Sequence, residues 1–149
     1  MSINTHSRRL VIAVIIGGTT MKMQILDLAN SGDARGFSFT PPQALAFLGD
    51  VKDIHLASST PGAVRGNHYH LHKREAIILL PGTAWSLHWD EGEGTPIQRR
   101  SFDGSGAVLL LVSPECSHAV RNDGTNLLWL VACSSETYSP AQIVARKVV

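Results

Sequence analysis

Histidines at positions 68, 70 and 118 and the glutamate at 75 are the residues whose types and spacing point to chemistry. His68 and His70 lie two apart, so on a strand their imidazoles leave the same face. The run Glu75–Leu80 is otherwise apolar, and an acidic residue at its start needs a partner. A turn over Leu71–Arg74 would return Glu75 on the neighbouring strand. His118 follows the turn Ser113-Pro114-Glu115-Cys116-Ser117, and in a barrel its strand can face that hairpin across the lumen. Three imidazoles and one carboxylate are a donor set for one divalent ion, with Zn, Fe, Ni or Mn as the candidates. Four protein ligands would leave one or two positions for water or substrate. A metal-free polar lumen is the alternative.

Such a site needs a stiff scaffold, and the rest of the chain reads as paired strands. Short apolar or alternating runs recur between turn signals. Strands are predicted at 23–28, 36–39, 52–58, 63–70, 75–80, 83–89, 97–102, 107–112, 117–121 and 127–133. Pro81-Gly82, Asp103–Gly106 and Asn122-Asp123-Gly124 supply turn chemistry, and Trp89–Gly94 a longer acidic loop. The nearly all-apolar runs 107–112 and 127–133 suit central strands covered on both faces. Residues 41–48 and 140–146 are predicted as short helices. The fold class is all-β, a double-sheet jelly roll or closed barrel.

Other polar residues have two readings each. His55 lies on a strand, as a hydrogen-bonded core histidine or a substrate contact. His72 falls in a turn and is expected outside; His88 alternates with the tryptophans and is expected to face solvent. Arg65 is either part of a structural ion pair or a ligand for a substrate anion, since a guanidinium fits phosphate. Cys116, near His118, is expected to be a small buried hydrophobe. Trp85, Leu87, Trp89 and Trp129 are expected in the core or a dimer interface. Glu91 and Glu93 are expected in solvent.

The chain has 149 residues, 44% hydrophobic and 17% charged, which fits one folded domain. A formal net charge of +1 without a basic run gives no signal for a nucleic-acid or membrane partner. Cys116 and Cys133 match neither a redox pair nor a zinc knuckle, so free thiols in a reducing compartment are expected. Residues 1–22 read as an N-terminal extension and 23–149 as the domain. Within the extension, Arg8-Arg9 and the apolar run to Gly18 form an incomplete export signal, a strand or an over-long start. A cytoplasmic location is expected, with export left open. Residues 10–16 are a candidate extra strand, which would cover a sheet edge in a homodimer.

The motif residues resemble those of the cupin superfamily. Gly62, five residues, His68-Tyr69-His70, four residues, Glu75, six residues and Gly82 reproduce its first motif at every fixed position. The second motif is kept only in part: His118, three residues, Asn122 fits, but Ser113-Pro114-Glu115 displaces the proline and loses the glycine. The phrase Ala63-Val-Arg-Gly-Asn-His-Tyr-His70 is similar to sugar-nucleotide epimerase and ketoisomerase cupins, including the cupin domain of capsular-polysaccharide epimerase/reductases. The close Cys133–Pro140 is similar too. The resemblance implies a cupin barrel, His68 as a base beside a keto group, and Arg65 on a phosphate or sugar. The epimerases' acid tyrosine falls at Ala132 instead, so Tyr138 is a different tyrosine and the two-proton mechanism does not carry over whole.

Three functions follow as expectations. The first is a metal-binding epimerase or isomerase of a small keto-sugar or sugar-nucleotide. There, His68 is the free base, or else a ligand, with His55 or Tyr138 moving the proton. The second is a metal-dependent dioxygenase, which expects an apolar pocket. The third is a non-enzymatic small-molecule-binding cupin.

Overall fold

The computed structural model describes residues 15–16 and 19–149. Two short strands, β1 (Ile15–Ile16) and β2 (Thr19–Thr20), pair with each other and lead into β3 (Met23–Asp27). Apart from Ile15–Ile16, the candidate strand at 10–16 lies outside the described residues, as does most of the signal-like run. Then follow α1 (Pro42–Leu48), β4 (Asp53–Ser59), β5 (Val64–His70), β6 (Glu75–Leu79) and β7 (Trp85–Trp89). The chain continues through β8 (Gln98–Phe102), β9 (Val108–Val112), β10 (His118–Asn122), β11 (Leu128–Ser134) and β12 (Ile143–Ala145).

Ten strands form two antiparallel five-stranded sheets, in the orders β12-β5-β10-β7-β8 and β3-β9-β6-β11-β4. This is the expected jelly roll. The strands alternate, so each sheet sends one set of side chains inward. Trp85, Leu87, Trp89 and Val120 from the first sheet meet Met23, Ile77, Leu79, Leu110, Leu128 and Leu130 from the second. All are buried, at about 1.5–3 kcal/mol for each large apolar side chain. A second cluster lies on the outer face of the second sheet, where Ala44 and Leu48 of α1 pack on Ala76, Leu109 and Leu111. Pro42 starts this helix and Gly49, at φ +74°, ends it.

Residues 36–39 are not a strand; only an isolated bridge joins Asp33 and Gly36, closing a local turn. Residues 140–146 are not a helix: a 3-10 turn, Pro140–Gln142, runs straight into β12, which finds a free edge on β5. The β9 run is covered on both faces, but β11 is not, because α1 stops short of it; Trp129 is 52% exposed on the outer face. His88 does not face solvent. It is 8% exposed, with Nε2 3.1 Å from Ser86 Oγ, and it stands opposite Arg99. Burial, then the charges of Arg99 and Arg121, lower its pKa. Glu91 is partly buried and accepts hydrogen bonds from the Lys22 amide and the Trp89 indole.

Candidate metal and substrate site

The loop Leu71–Arg74 does not close a hairpin. β5 belongs to the first sheet and β6 to the second, so these four residues carry the chain across the sandwich. Glu75 therefore faces His68 and His70 from the opposite wall. His118 is the near neighbour instead, because β10 pairs with β5 and His118 lies opposite His68 in register. The expected arrangement is thus inverted: the carboxylate, not the third histidine, comes from across the lumen. The outcome for the cluster is the expected one, since one donor atom from each of His68, His70, Glu75 and His118 lies within 4.8 Å of all the others.

Backbone conformations that only some residues tolerate hold this geometry. Gly62 and Gly82, the flanking glycines of the first motif, have φ of +78° and +141°. Between them a bulge interrupts β5: Gly66 has φ +106°, Asn67 has φ +57°, and the register against β10 shifts between His118 and Ala119. Strict alternation would put Arg65 and His68 on opposite faces. The bulge turns both toward one cavity of about 180 Å³, shared with His55 and His118. A Cβ on Gly66 would stand 2.5 Å from the His118 carbonyl oxygen, so glycine is required where β5 and β10 touch. In the second motif Glu115 occupies the glycine's place, three residues before the histidine, and adopts φ +62° itself. Its amide donates to the His70 carbonyl at 2.8 Å, tying this turn to the ligand strand. Asn122 is a structural lock: its buried amide group donates to the Ser59 and Asn126 carbonyls and accepts from the Gly124 amide.

The four donor atoms could hold a cation. His118 Nδ1 lies 3.1 Å from the Cys116 carbonyl, which can only accept, so Nδ1 carries the hydrogen and Nε2 presents a lone pair. That Nε2 is 3.5 Å from Glu75 Oε2. His70 Nε2 is fully buried and lies 3.0 Å from the same oxygen, the short contact by which His70 favours the ionised carboxylate. Burial lowers the pKa of His68 to about 4, helped by His118 and His70 and opposed by Glu75. Burial likewise lowers that of His118. Burial pushes the Glu75 carboxyl up, but His70, His118 and Lys73 outweigh it and hold the group ionised, well below its usual range. Neutral imidazoles around an ionised carboxylate suit a divalent metal.

A wider cavity of about 530 Å³ opens from this cluster. His68, His70 and Glu75 line it together with Asp53, His55, Lys73, Ser134 and Tyr138. His55 and Tyr138 thus share the cavity with the cluster, although both are exposed and neither is a member of it; His55 is not a core histidine, because its strand lies at the edge of its sheet. Arg65 donates from Nε to the Ser58 carbonyl at 2.7 Å and makes no ion pair among the described residues. His72 is exposed, as expected, and Cys116 is buried in the core with its thiol on the Asp90 carbonyl. Lys73 was missed by sequence reasoning. It is 8% exposed, with Nζ 3.0 Å from Glu75 Oε1. A lysine in a polar turn gives no signal of burial; only the fact that the turn crosses between sheets could have suggested it.

The two-sheet antiparallel barrel with these residues converging in its lumen has the cupin jelly-roll fold. Residues 33–143 match the polysaccharide biosynthesis C-terminal domain family, and the chain belongs to it. No curated protein matches the chain in sequence. Among solved structures it is similar to the 3'-monoepimerase ChmJ of Streptomyces bikiniensis, in complex with dTDP-quinovose. That similarity has 20% identity and a TM-score of 0.68, over 83% of this chain and 69% of that one. It is also similar to the sugar 3,4-ketoisomerase QdtA of Thermoanaerobacterium thermosaccharolyticum, in complex with TDP (14%, TM-score 0.62, 84% and 88%). The capsular polysaccharide assembling protein CapF of Staphylococcus aureus is a third (18%, TM-score 0.60, 66% and 27%). At these identities the likeness establishes the fold. No described helix is long and apolar enough to cross a membrane.

Proposed function

We propose that this chain is a sugar-modifying cupin, an epimerase or isomerase of a nucleotide-linked keto-sugar, with one divalent metal ion held by His68, His70, Glu75 and His118. The observation that carries it is the convergence of four donor atoms within 4.8 Å at the wall of a cavity of about 530 Å³. Asp53, Lys73, Ser134 and Tyr138 give that cavity groups able to hydrogen-bond a polyhydroxylated substrate, set in a lining whose surface is otherwise largely apolar. The fold's likeness to enzymes named as sugar epimerases and ketoisomerases supports the same substrate class. A metal in the cluster would act as a Lewis acid toward a keto oxygen. His68, a weak base at a pKa of about 4, is better suited to ligate than to abstract a proton. His55 and Tyr138 line the cavity and are free to move the proton, and Arg65, at the narrower end, is placed for a diphosphate. Exposed Ile54, Leu56 and Trp129 on β4 and β11 support a homodimer through that face.

Metal content by inductively coupled plasma mass spectrometry tests the metal. Wild type purified without chelators or nickel resin is expected to carry about one equivalent, and His70→Ala none. Incubation with TDP-4-keto-6-deoxyglucose in D2O tests the reaction; proton exchange next to the keto group is expected by NMR. Absence of metal from wild type, or of exchange, defeats the corresponding half.

A further inference from the structure

Lys73 is the one buried cation at the cluster, and the proposed ligand set does not use it. The two oxygens of Glu75 are divided. Oε2 faces His70 Nε2 at 3.0 Å and His118 Nε2 at 3.5 Å, while Oε1 accepts from Lys73 Nζ at 3.0 Å. Both partners of this ion pair are nearly sealed from water, Lys73 at 8% and Glu75 at 7% exposure. Either charge alone would be costly in such a place, so the pair stands or falls together. Asp53 lines the same cavity, but Glu75 is the carboxylate that Lys73 reaches among the described residues.

We infer that Lys73 is an internal cation that occupies one oxygen of Glu75, keeps the cluster assembled without metal, and weakens the hold of a divalent ion on the other oxygen. The inference rests on the metal-binding reading above. It makes Lys73 a positioning residue, acting through Glu75. A dication on Oε2 meets an ammonium on the far side of the same carboxylate, and like charges at such range inside a protein repel strongly. Lys73 is the side chain with a fixed positive charge that pairs with this buried carboxylate among the described residues, so without it the metal-free cluster would lose that compensation.

The test is zinc binding by isothermal titration calorimetry on chelator-treated protein, with thermal melting of the same metal-free samples. Lys73→Met keeps the aliphatic stem and removes the charge. It is expected to bind zinc about tenfold more tightly, or better, and to melt lower than wild type without metal. Lys73→Arg, which keeps the charge, is expected to stay within about threefold of wild type. A Lys73→Met protein that binds zinc as weakly as wild type, or more weakly, overturns the inference while leaving the metal site standing. Zinc binding in neither protein, with the melting order as expected, sinks the metal reading and the competition but leaves the internal cation. Should Lys73→Met fail to fold, the comparison moves to Glu75→Gln with and without Lys73→Met. The double variant is expected to melt higher, because it removes the ammonium stranded by the single one. A double variant that melts no higher overturns the internal cation.

Discussion

The two strands that bring histidines to the cluster differ in how they are held. β5 carries a complete motif, with glycines at its two flanking turns and a third, Gly66, inside a bulge. The turn before β10 has lost its motif glycine, and Glu115 takes the left-handed conformation in its place. Both strands nevertheless deliver their side chains to one point. Pairing therefore places His118: its register opposite His68 on one side and Trp89 on the other leaves it one position. The glycine of the second motif eases the turn and does not aim the ligand. Gly66 is different, since it lies at the contact between the two strands and backbone atoms occupy the space a side chain would need.

The sharpest way to break this comparison is Gly66→Val. Its Cβ would fall 2.5 Å from the His118 carbonyl oxygen and 2.9 Å from Ala119 Cα, at a φ of +106°. A loss of about 3 kcal/mol or more is expected in urea unfolding, together with loss of bound metal. Next comes Asn122→Ala at the end of β10. It strands the Ser59 and Asn126 carbonyls and the Gly124 amide, so about 2 kcal/mol is expected to be lost. Unlike Gly66→Val, it is expected to leave metal content unchanged, which would separate scaffold from site.

Acidification probes both strands at once. His68 and His118 have lowered pKa values in the fold, so the unfolded chain binds protons first as pH falls. Their contribution to stability is whole above the unfolded value near 6.5 and is lost toward the folded one, about 4 for His68. Glu75 adds to the loss at still lower pH, because its folded pKa is also depressed. Melting temperatures of metal-free protein are expected to fall steadily from pH 7 to pH 4.5; a flat profile would refute the assigned protonation states. The smallest effect is Glu115→Gly. It relieves a left-handed glutamate and loses only an exposed bridge to Lys22, so a gain of about 1 kcal/mol is expected in the same unfolding assay.

Strand positions were legible because alternation in Trp85–Trp89 and apolar runs such as Val108–Val112 express burial directly. Residues 140–146 were misread because their local pattern suits a helix, whereas the free edge of β5 offered a row of hydrogen-bonding groups that made them a strand. His88 was misread for a related reason. Alternation tells which face a residue takes, and not whether something covers that face.

By itself the sequence determined the jelly roll and the identity of the four donors, because residue type and a spacing of two fix what can leave one face of a strand. Tertiary structure alone decided from which wall each donor comes. A four-residue link can close a hairpin or cross between sheets, and only the packing of both sheets' apolar faces chooses. The same choice put Glu75 opposite the histidines, turned Arg65 into the cavity through a bulge, and buried Lys73 against the carboxylate. None of these is a local property of the chain, since each depends on which backbone lies across from it.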